Sequence, residues 1–376
     1  MKKVIYFALV ALILTACSNE EDLGKSSSSK KEIGFKATVG SNTRASQGFC
    51  SRNQPGELYV WACVPDGSGY KPYFERNIYT YGMDDDFYTS SSKRYWPDSD
   101  IRFYAFPFGG CGIHYTPVWT SDGTTMEFDY TNPIKPEEQF DLMYAASGDV
   151  QADEYDGSFY TDLYFRHALS QIEFKAKTEK DDYYVEVVGV KITNIKGAGH
   201  YVLPTVTDNY YTGHAGFPGN DYRTTRGTWS NLSGNVYCEA TFDPVTFTKA
   251  DGSVSLTEAD TEEYGGKTDG GTISTGLKEY NKNTMYLIPQ DARGTGKIVL
   301  KLKVWKMSDP SKGHQASDKP IFPKSGSDYA EKEFNIPTIW MEGKHYIYTI
   351  NLIGDELTFT LDVDDYYLDS NEVLTY

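Results

Sequence analysis

The sequence has no run of twenty apolar residues, about the number a helix needs to cross a bilayer. The apolar stretch from Val4 to Leu14 is about half that length. No segment sustains a 3.6-residue apolar period, which argues against a helical bundle or coiled coil. Basic residues are in deficit, with 36 Lys and Arg against 53 Asp and Glu and a formal net charge of −17. Binding to phosphate backbones needs a basic face that releases counterions, so nucleic acid is disfavoured as a partner. An acidic surface suits solubility outside the cell.

Chemical motifs are scarce as well. The six histidines (His114, His167, His200, His214, His314 and His345) are scattered, and no HExxH occurs. There is no GxSxG elbow, P-loop or strand-linked GxGxxG. Carboxylates cluster at Asp84 to Asp86, Glu262 to Glu263 and Asp362 to Asp365. Glycoside hydrolysis needs two opposed acids in a pocket, and these clusters read instead as solvated loop and edge charges. No EF-hand spacing is present. The expectation is a chain with no catalytic residues, no metal and no cofactor. Of the five cysteines, Cys50, Cys63, Cys111 and Cys238 fit no CxxC metal pattern. In an exported protein they are open to disulfide formation, or they are buried thiols; spacing does not decide.

Aromatic residues are abundant, with 31 Tyr and 19 Phe, alongside 34 Gly. Aromatic and β-branched residues favour pleated, half-buried surfaces, and Gly, Asn and Asp supply turns. The chain therefore reads as mostly β. Lys31 to Val39 alternates Ile33, Phe35, Ala37 and Val39 with polar positions, as a half-buried first strand would. Leu58 to Val64 and Ile101 to Phe108 read as buried strands, and Gln139 to Ala146 as a short one. Asp149 to Ser158 is a polar stretch that reads as a linker. Leu163 to Lys177 reads as two strands around an irregular centre. Tyr183 to Ile195 is a long strand with a bulge at Gly189, closed by Gly197 to Gly199. Met285 to Pro289, Lys297 to Trp305, His345 to Ile353 and Leu357 to Val363 complete the strand set. Trp61, Trp96, Trp305 and Trp340 read as core or rim aromatics, and His167 as a structural hydrogen-bonding residue.

The N-terminal residues carry an address. Lys2 and Lys3 precede the short apolar run, the pattern of a signal peptide over residues 1–16. Leu14-Thr15-Ala16-Cys17 resembles the lipobox of bacterial lipoproteins, in which the cysteine is acylated, for example with palmitate. Cys17 is the expected lipid attachment site. Each buried methylene contributes about 0.8 kcal/mol to such anchoring. Ser18 to Asp22 resembles an acidic signal that sends lipoproteins to the outer face of the outer membrane. Residues 17–31 read as an acidic, Ser-rich tether.

Several segments, taken in order, resemble the fimbrillin family of type V pilus subunits. They are IGFKAT (Ile33 to Thr38), TRA (Thr43 to Ala45), YVWA (Tyr59 to Ala62), YWP (Tyr95 to Pro97) and FYAFPF (Phe103 to Phe108). FRHALSQIEF (Phe165 to Phe174), YLIPQ (Tyr286 to Gln290) and WMEGKHYIYTI (Trp340 to Ile350) follow. The resemblance implies an all-β, non-enzymatic chain of two β-sandwich domains, of transthyretin-like or Greek-key type, at residues 32–160 and 161–376. It implies a structural surface protein that contributes to adhesion and assembles with other subunits by strand donation. It also implies cleavage by a trypsin-like protease after an Arg near the mature N-terminus. Arg44, in an exposed Ser/Asn/Thr/Ala setting, is the candidate. The segment after Leu357 to Val363 is short and acidic, which points to a tip or accessory subunit that accepts a strand. The alternative expectation is a surface glycan-binding lipoprotein, with Tyr70, Tyr73, Tyr79, Tyr81, Tyr88 and Tyr95, or Tyr210, Tyr211 and Tyr222, as a platform. The assembly partners are thus other subunits and the outer membrane, with a host protein or glycan as ligand.

Overall fold

A computed structural model of the chain describes residues 31–39, 56–82, 87–108, 115–155, 158–207, 226–257, 283–326, 328–353 and 359–367. Among them there is no α-helix, and three short 3₁₀ turns interrupt an otherwise all-β chain. In chain order β1 (Gly34–Val39), β2 (Glu57–Asp66), β3 (Gly69–Gly82), β4 (Phe87–Thr89) and β5 (Arg102–Phe108) come first. Then follow β6 (Val118–Trp119), β7 (Met126–Thr131), β8 (Met143–Ala146), β9 (Asp153–Tyr155) and β10 (Ser158–His167). Next are β11 (Ser170–Thr178), β12 (Tyr183–Ile195), β13 (Ala198–Val202), β14 (Thr228–Ser233), β15 (Val236–Phe247) and β16 (Val254–Ser255). The last are β17 (Met285–Leu287), β18 (Lys297–Lys306), β19 (Lys319–Phe322), β20 (Ala330–Asn335), β21 (Lys344–Leu352) and β22 (Phe359–Tyr367).

The first sheet runs β1-β4-β3-β2-β5-β8-β10-β9, and β1 also pairs with β10, so the sheet rolls up and closes on itself. Alternation along β2 explains how it packs on both sides. Leu58, Val60, Ala62 and Val64 point into the roll, with Phe35, Phe103, Leu163 and Phe165. Tyr59, Trp61 and Cys63 point outward, into a second core with Tyr104, Phe106, Phe128 and Tyr201. A four-stranded sheet, β14-β13-β7-β6, covers that outer face. β10 crosses position 160, and β13 and β14 return to β7, so this sheet takes strands from both sides of that position. Ala168, Leu169, Tyr286 and Ile288 join the same outer core.

The C-terminal half is a sandwich of two five-stranded sheets. One runs β16-β11-β21-β22 with β17 on β11; the other runs β15-β12-β18-β19 with β20 on β18. Ile298, Leu300, Leu302 and Val304 of β18 face the core, as their spacing of two requires. The register of β12 shifts between Val187 and Gly189, at the bulge expected there. A Cβ at Gly189 would sit 3.1 Å from the Ala240 carbonyl oxygen, tighter than ordinary contact.

Two stretches depart from expectation. Asp149 to Ser158 is more than a linker: it includes β9, which pairs with β10, and Asp149 meets the Arg102 guanidinium. β12 ends at Ile195, before Gly197 as expected, but Gly199 already lies within β13, which starts at Ala198 and runs between β14 and β7.

Candidate assembly site

The residues that close the rolled sheet form the structure's most distinctive site. β1 lies parallel to β10 over six register pairs, from Gly34 opposite Tyr160 to Val39 opposite Phe165. On its other side it meets β4 at a single pair, Phe35 opposite Tyr88. Parallel neighbours normally need a long crossover connection, and here the chain from β1 to β10 visits every other strand of the roll first. β1 is thus a short seam inserted between two strands that belong to other parts of the chain.

Its side chains explain the fit. Ile33 and Phe35 are fully buried and Ala37 nearly so. The Phe35 ring meets Tyr79 and Phe103 edge-on at 4.7 and 4.8 Å, geometry the aromatic quadrupole favours. Gly34 passes where a Cβ would lie 3.2 Å from the Phe159 carbonyl oxygen, so a side chain there would require the neighbouring backbone to give by a few tenths of an ångström. On the outward side, the Lys36 ammonium sits 4.8 Å from the Phe87 ring centroid and 4.5 Å from that of Tyr160. Such cation–π contacts contribute about 0.5–1 kcal/mol each at exposed sites. The strand's start is held by Ile33 N–H donating to the Arg94 carbonyl at 2.8 Å and Trp96 N–H donating to the Lys31 carbonyl at 2.9 Å. The exposed Lys93–Glu32 ion pair at 2.7 Å adds little.

Other polar clusters serve architecture. Arg102 forks onto Asp149 through Nε at 2.9 Å and Nη2 at 2.8 Å, and also donates to the Tyr70 hydroxyl at 2.7 Å. Burial opposes the Asp149 charge, but hydrogen bonds from Arg102 and Tyr70 outweigh it and hold the carboxyl below its usual value. His167 is buried and its Nδ1 lies 2.7 Å from Asp141, the structural role expected. Glu342, in the turn before β21, accepts from the Tyr144 hydroxyl at 2.7 Å and the Tyr201 hydroxyl at 2.8 Å. Those tyrosines stand on β8 and β13, so one carboxylate joins three sheets. Arg226 approaches Glu342 at 3.9 Å and its guanidinium fills the space where a Cβ of Gly343 would lie, at a φ of +68° that suits glycine. Glu342 lies within the WMEGKHYIYTI segment, but no sequence pattern there singles out its carboxylate as a buried acceptor.

Cys63 and Cys238 are buried reduced thiols, and burial pushes both up to about 12. Cys17, Arg44, Cys50 and Cys111 lie outside the described residues, as do Tyr210, Tyr211 and Tyr222. The clusters Asp84 to Asp86 and Glu262 to Glu263 lie outside them too, and Asp362 to Asp365 run along β22. Among the described residues no group of three or more His, Cys, Asp or Glu is placed to hold a metal ion. The six-tyrosine platform does not exist as one surface. Tyr79 and Tyr88 are fully buried under β1, and the Tyr70 hydroxyl is engaged by Asp149. The Tyr79 and Tyr88 rings line the roll, since a tyrosine's apolar body packs as readily as phenylalanine. Trp61 and Trp340 are core, while Trp96 and Trp305 are half-buried.

The sequence model of the fimbrillin-like family matches residues 43–365, and the chain belongs to that family. A search of curated protein sequences finds no match. Among solved structures, a fimbrial protein from Bacteroides vulgatus ATCC 8482 is similar over 90% of this chain and 99% of its own, at 12% identity and a TM-score of 0.52. A structure from Bacteroides uniformis ATCC 8492, named for a role in cell adhesion, matches over 90% of this chain and 99% of its own, at 12% identity and a TM-score of 0.46. A fimbrial assembly protein from Parabacteroides distasonis ATCC 8503 matches over 89% and 99%, at 8% identity and a TM-score of 0.40. The first of these supports the shared fold.

Proposed function

We propose that this protein is a surface-exposed pilus subunit of tip or accessory type, delivered as a lipoprotein acylated at Cys17, which accepts a strand from another subunit once its own β1 is cut away after Arg44. The observation that carries this reading is the seam. β1 alone closes the roll, with one partner held over six pairs and the other by one. Its loss would bare the edges of β4 and β10 and an apolar trough lined by Tyr79, Tyr88, Phe103 and Phe165. Unpaired strand edges beside an apolar groove recruit a strand from another chain. Membership of the fimbrillin-like family supports assembly with other fimbrial subunits.

The acceptor role has support at the other end of the described chain. β22 pairs with β21 over nine register positions, from Lys344 opposite Tyr367 to Leu352 opposite Phe359, so this strand serves its own sheet. Adhesion is then the work of the surface such a subunit presents. The test is protease shaving of intact cells with immunoblotting of the sheared pilus fraction. The protein should be removed by shaving and should appear in pili in a form shortened by the residues up to Arg44. Full-length protein in the pilus fraction, or protection from shaving, would overturn the reading.

A further inference from the structure

We propose that the open groove at the β12–β15 end of the C-terminal sandwich is a saccharide-binding site, separate from the β1 slot and selective for neutral sugars. The groove has a volume of about 340 Å³, at the small end of the ~300–1,000 Å³ usual for ligand pockets. It is built from two cross-strand pairs, Lys191 opposite Glu239 and Thr193 opposite Tyr237. Between them Ile192 and Cys238 point into the core and are buried, so alternation turns these four side chains to solvent. Asn194 and Asn235 complete the rim.

The backbone here is bent for the purpose. The β12 register shifts between Thr193 and Ile195, and Asn194 is the extra residue, at a left-handed φ of 58°. Bulges of this kind re-aim side chains and gather beside binding sites. A non-glycine residue in the left-handed region is uncommon, and Asn tolerates it best. The shift puts Asn194 at the same groove rim as Asn235, the residue preceding β15.

The chemistry of the lining selects the ligand. A pyranose has apolar C–H faces and a rim of hydroxyls that both donate and accept. Tyr237, 44% exposed, offers a ring to the apolar face. A single exposed tyrosine is ordinary, but here it is surrounded by groups that match the hydroxyl rim. Two amides each supply donors and an acceptor, Thr193 supplies a hydroxyl, and Glu239 supplies a carboxylate. The Lys191 ammonium is held by Glu331 at 3.2 Å, which orients it. Lys297, opposite Thr193 on β18, is likewise engaged by Asn335, so neither ammonium is left free to meet the anionic group of a sialylated or sulfated sugar. The groove is open to solvent, so a longer glycan chain can continue past it.

The test places purified full-length protein on a printed array of neutral hexose and N-acetylhexosamine oligosaccharides, drawn from both host-type glycans and bacterial polysaccharides, with sialylated and sulfated counterparts for contrast. The strongest neutral binder is then titrated by calorimetry into wild type, Tyr237→Ala, Asn235→Ala and Tyr73→Ala. Tyr237→Ala should bind at least ~10-fold more weakly, the effect of losing one stacking surface. Asn235→Ala should bind several-fold more weakly. Tyr73→Ala removes a tyrosine exposed to a similar degree outside the groove and should bind as wild type. Binding to either the host or the bacterial set supports the site and names the source. No neutral oligosaccharide above background, equal binding of acidic counterparts, or wild-type affinity in both groove variants would overturn it. The site does not depend on release of β1, so its failure leaves the assembly reading standing.

Discussion

The ring of Phe35 meets the ring of Tyr79 edge to face, with centroids 4.7 Å apart, and through this contact the seam strand is keyed into the wall of the roll. Phe35 has no solvent exposure. Phe35→Ala should therefore lower the stability of the protein by about 3–5 kcal/mol, the cost of a large aromatic cavity. It should also raise the susceptibility of β1 to release. Urea denaturation monitored by aromatic fluorescence measures the first effect, and limited proteolysis the second.

Processing gives a separate expectation. Arg44→Ala should leave the N-terminal segment joined to β2 and keep the subunit out of pili. Cys17→Ser should abolish incorporation of radiolabelled fatty acid. Replacement of Glu20, Glu21 and Asp22 by Ala should leave labelling intact and turn the protein inward, seen as protection from protease shaving of whole cells. Labelling of the Ser variant at wild-type level would remove the anchor assignment.

Much of this arrangement is legible in the chain itself, and what is not has physical causes. The alternation in β1 and β18 states which side chains face a core, and the structure buries Ile33, Phe35 and Ala37 of the one and Ile298, Leu300, Leu302 and Val304 of the other. Alternation does not state which strand lies alongside, so the parallel pairing of β1 with β10 could not be read from Ile33, Phe35 and Ala37. β15 was missed because it lies at the end of its sheet, carries Asp243-Pro244 and is only partly buried, which blurs its pattern. Tyr79 and Tyr88 were misread as surface because tyrosine serves both environments. The Glu342 network joins residues 198 and 141 positions apart in sequence, and no local pattern encodes such a meeting.

That network carries its own prediction. Glu342→Ala strips two buried tyrosine hydroxyls of their acceptor and removes a carboxylate 3.9 Å from the Arg226 guanidinium. The expected loss is about 3 kcal/mol or more, as for breaking a buried charged pair. Because this contact ties β8, β13 and the turn leading into β21, and those strands belong to three different sheets, calorimetric unfolding should broaden or split. Glu342→Gln, which keeps an acceptor oxygen, should unfold closer to wild type.

Alkaline pH should destabilise the fold. Cys63 and Cys238 are raised by burial from 9.0 to about 12, and Tyr104, also by burial, from 10.0 to about 12. Above pH 9 the unfolded chain gives up these protons while the native state keeps them, so the unfolded state binds fewer protons and stability falls. The stabilisation is complete below about pH 9 and is lost as pH rises toward 12. Urea midpoints compared at pH 8 and pH 10.5 should show the drop. Consistent with the same burial, both thiols should resist alkylation at pH 8 until the protein is unfolded.

The most direct test of the central claim clamps the seam. Lys36 and Asp162 are paired across β1 and β10, with both side chains on the outer side of the roll. A Lys36→Cys/Asp162→Cys variant, oxidised, should be cut after Arg44 yet retain its N-terminal fragment on denaturing gels run without reductant. It should stay out of the pilus fraction, and reduction should release the fragment and restore entry. Entry of the oxidised variant into pili at wild-type levels, with β1 still clamped, would contradict the account.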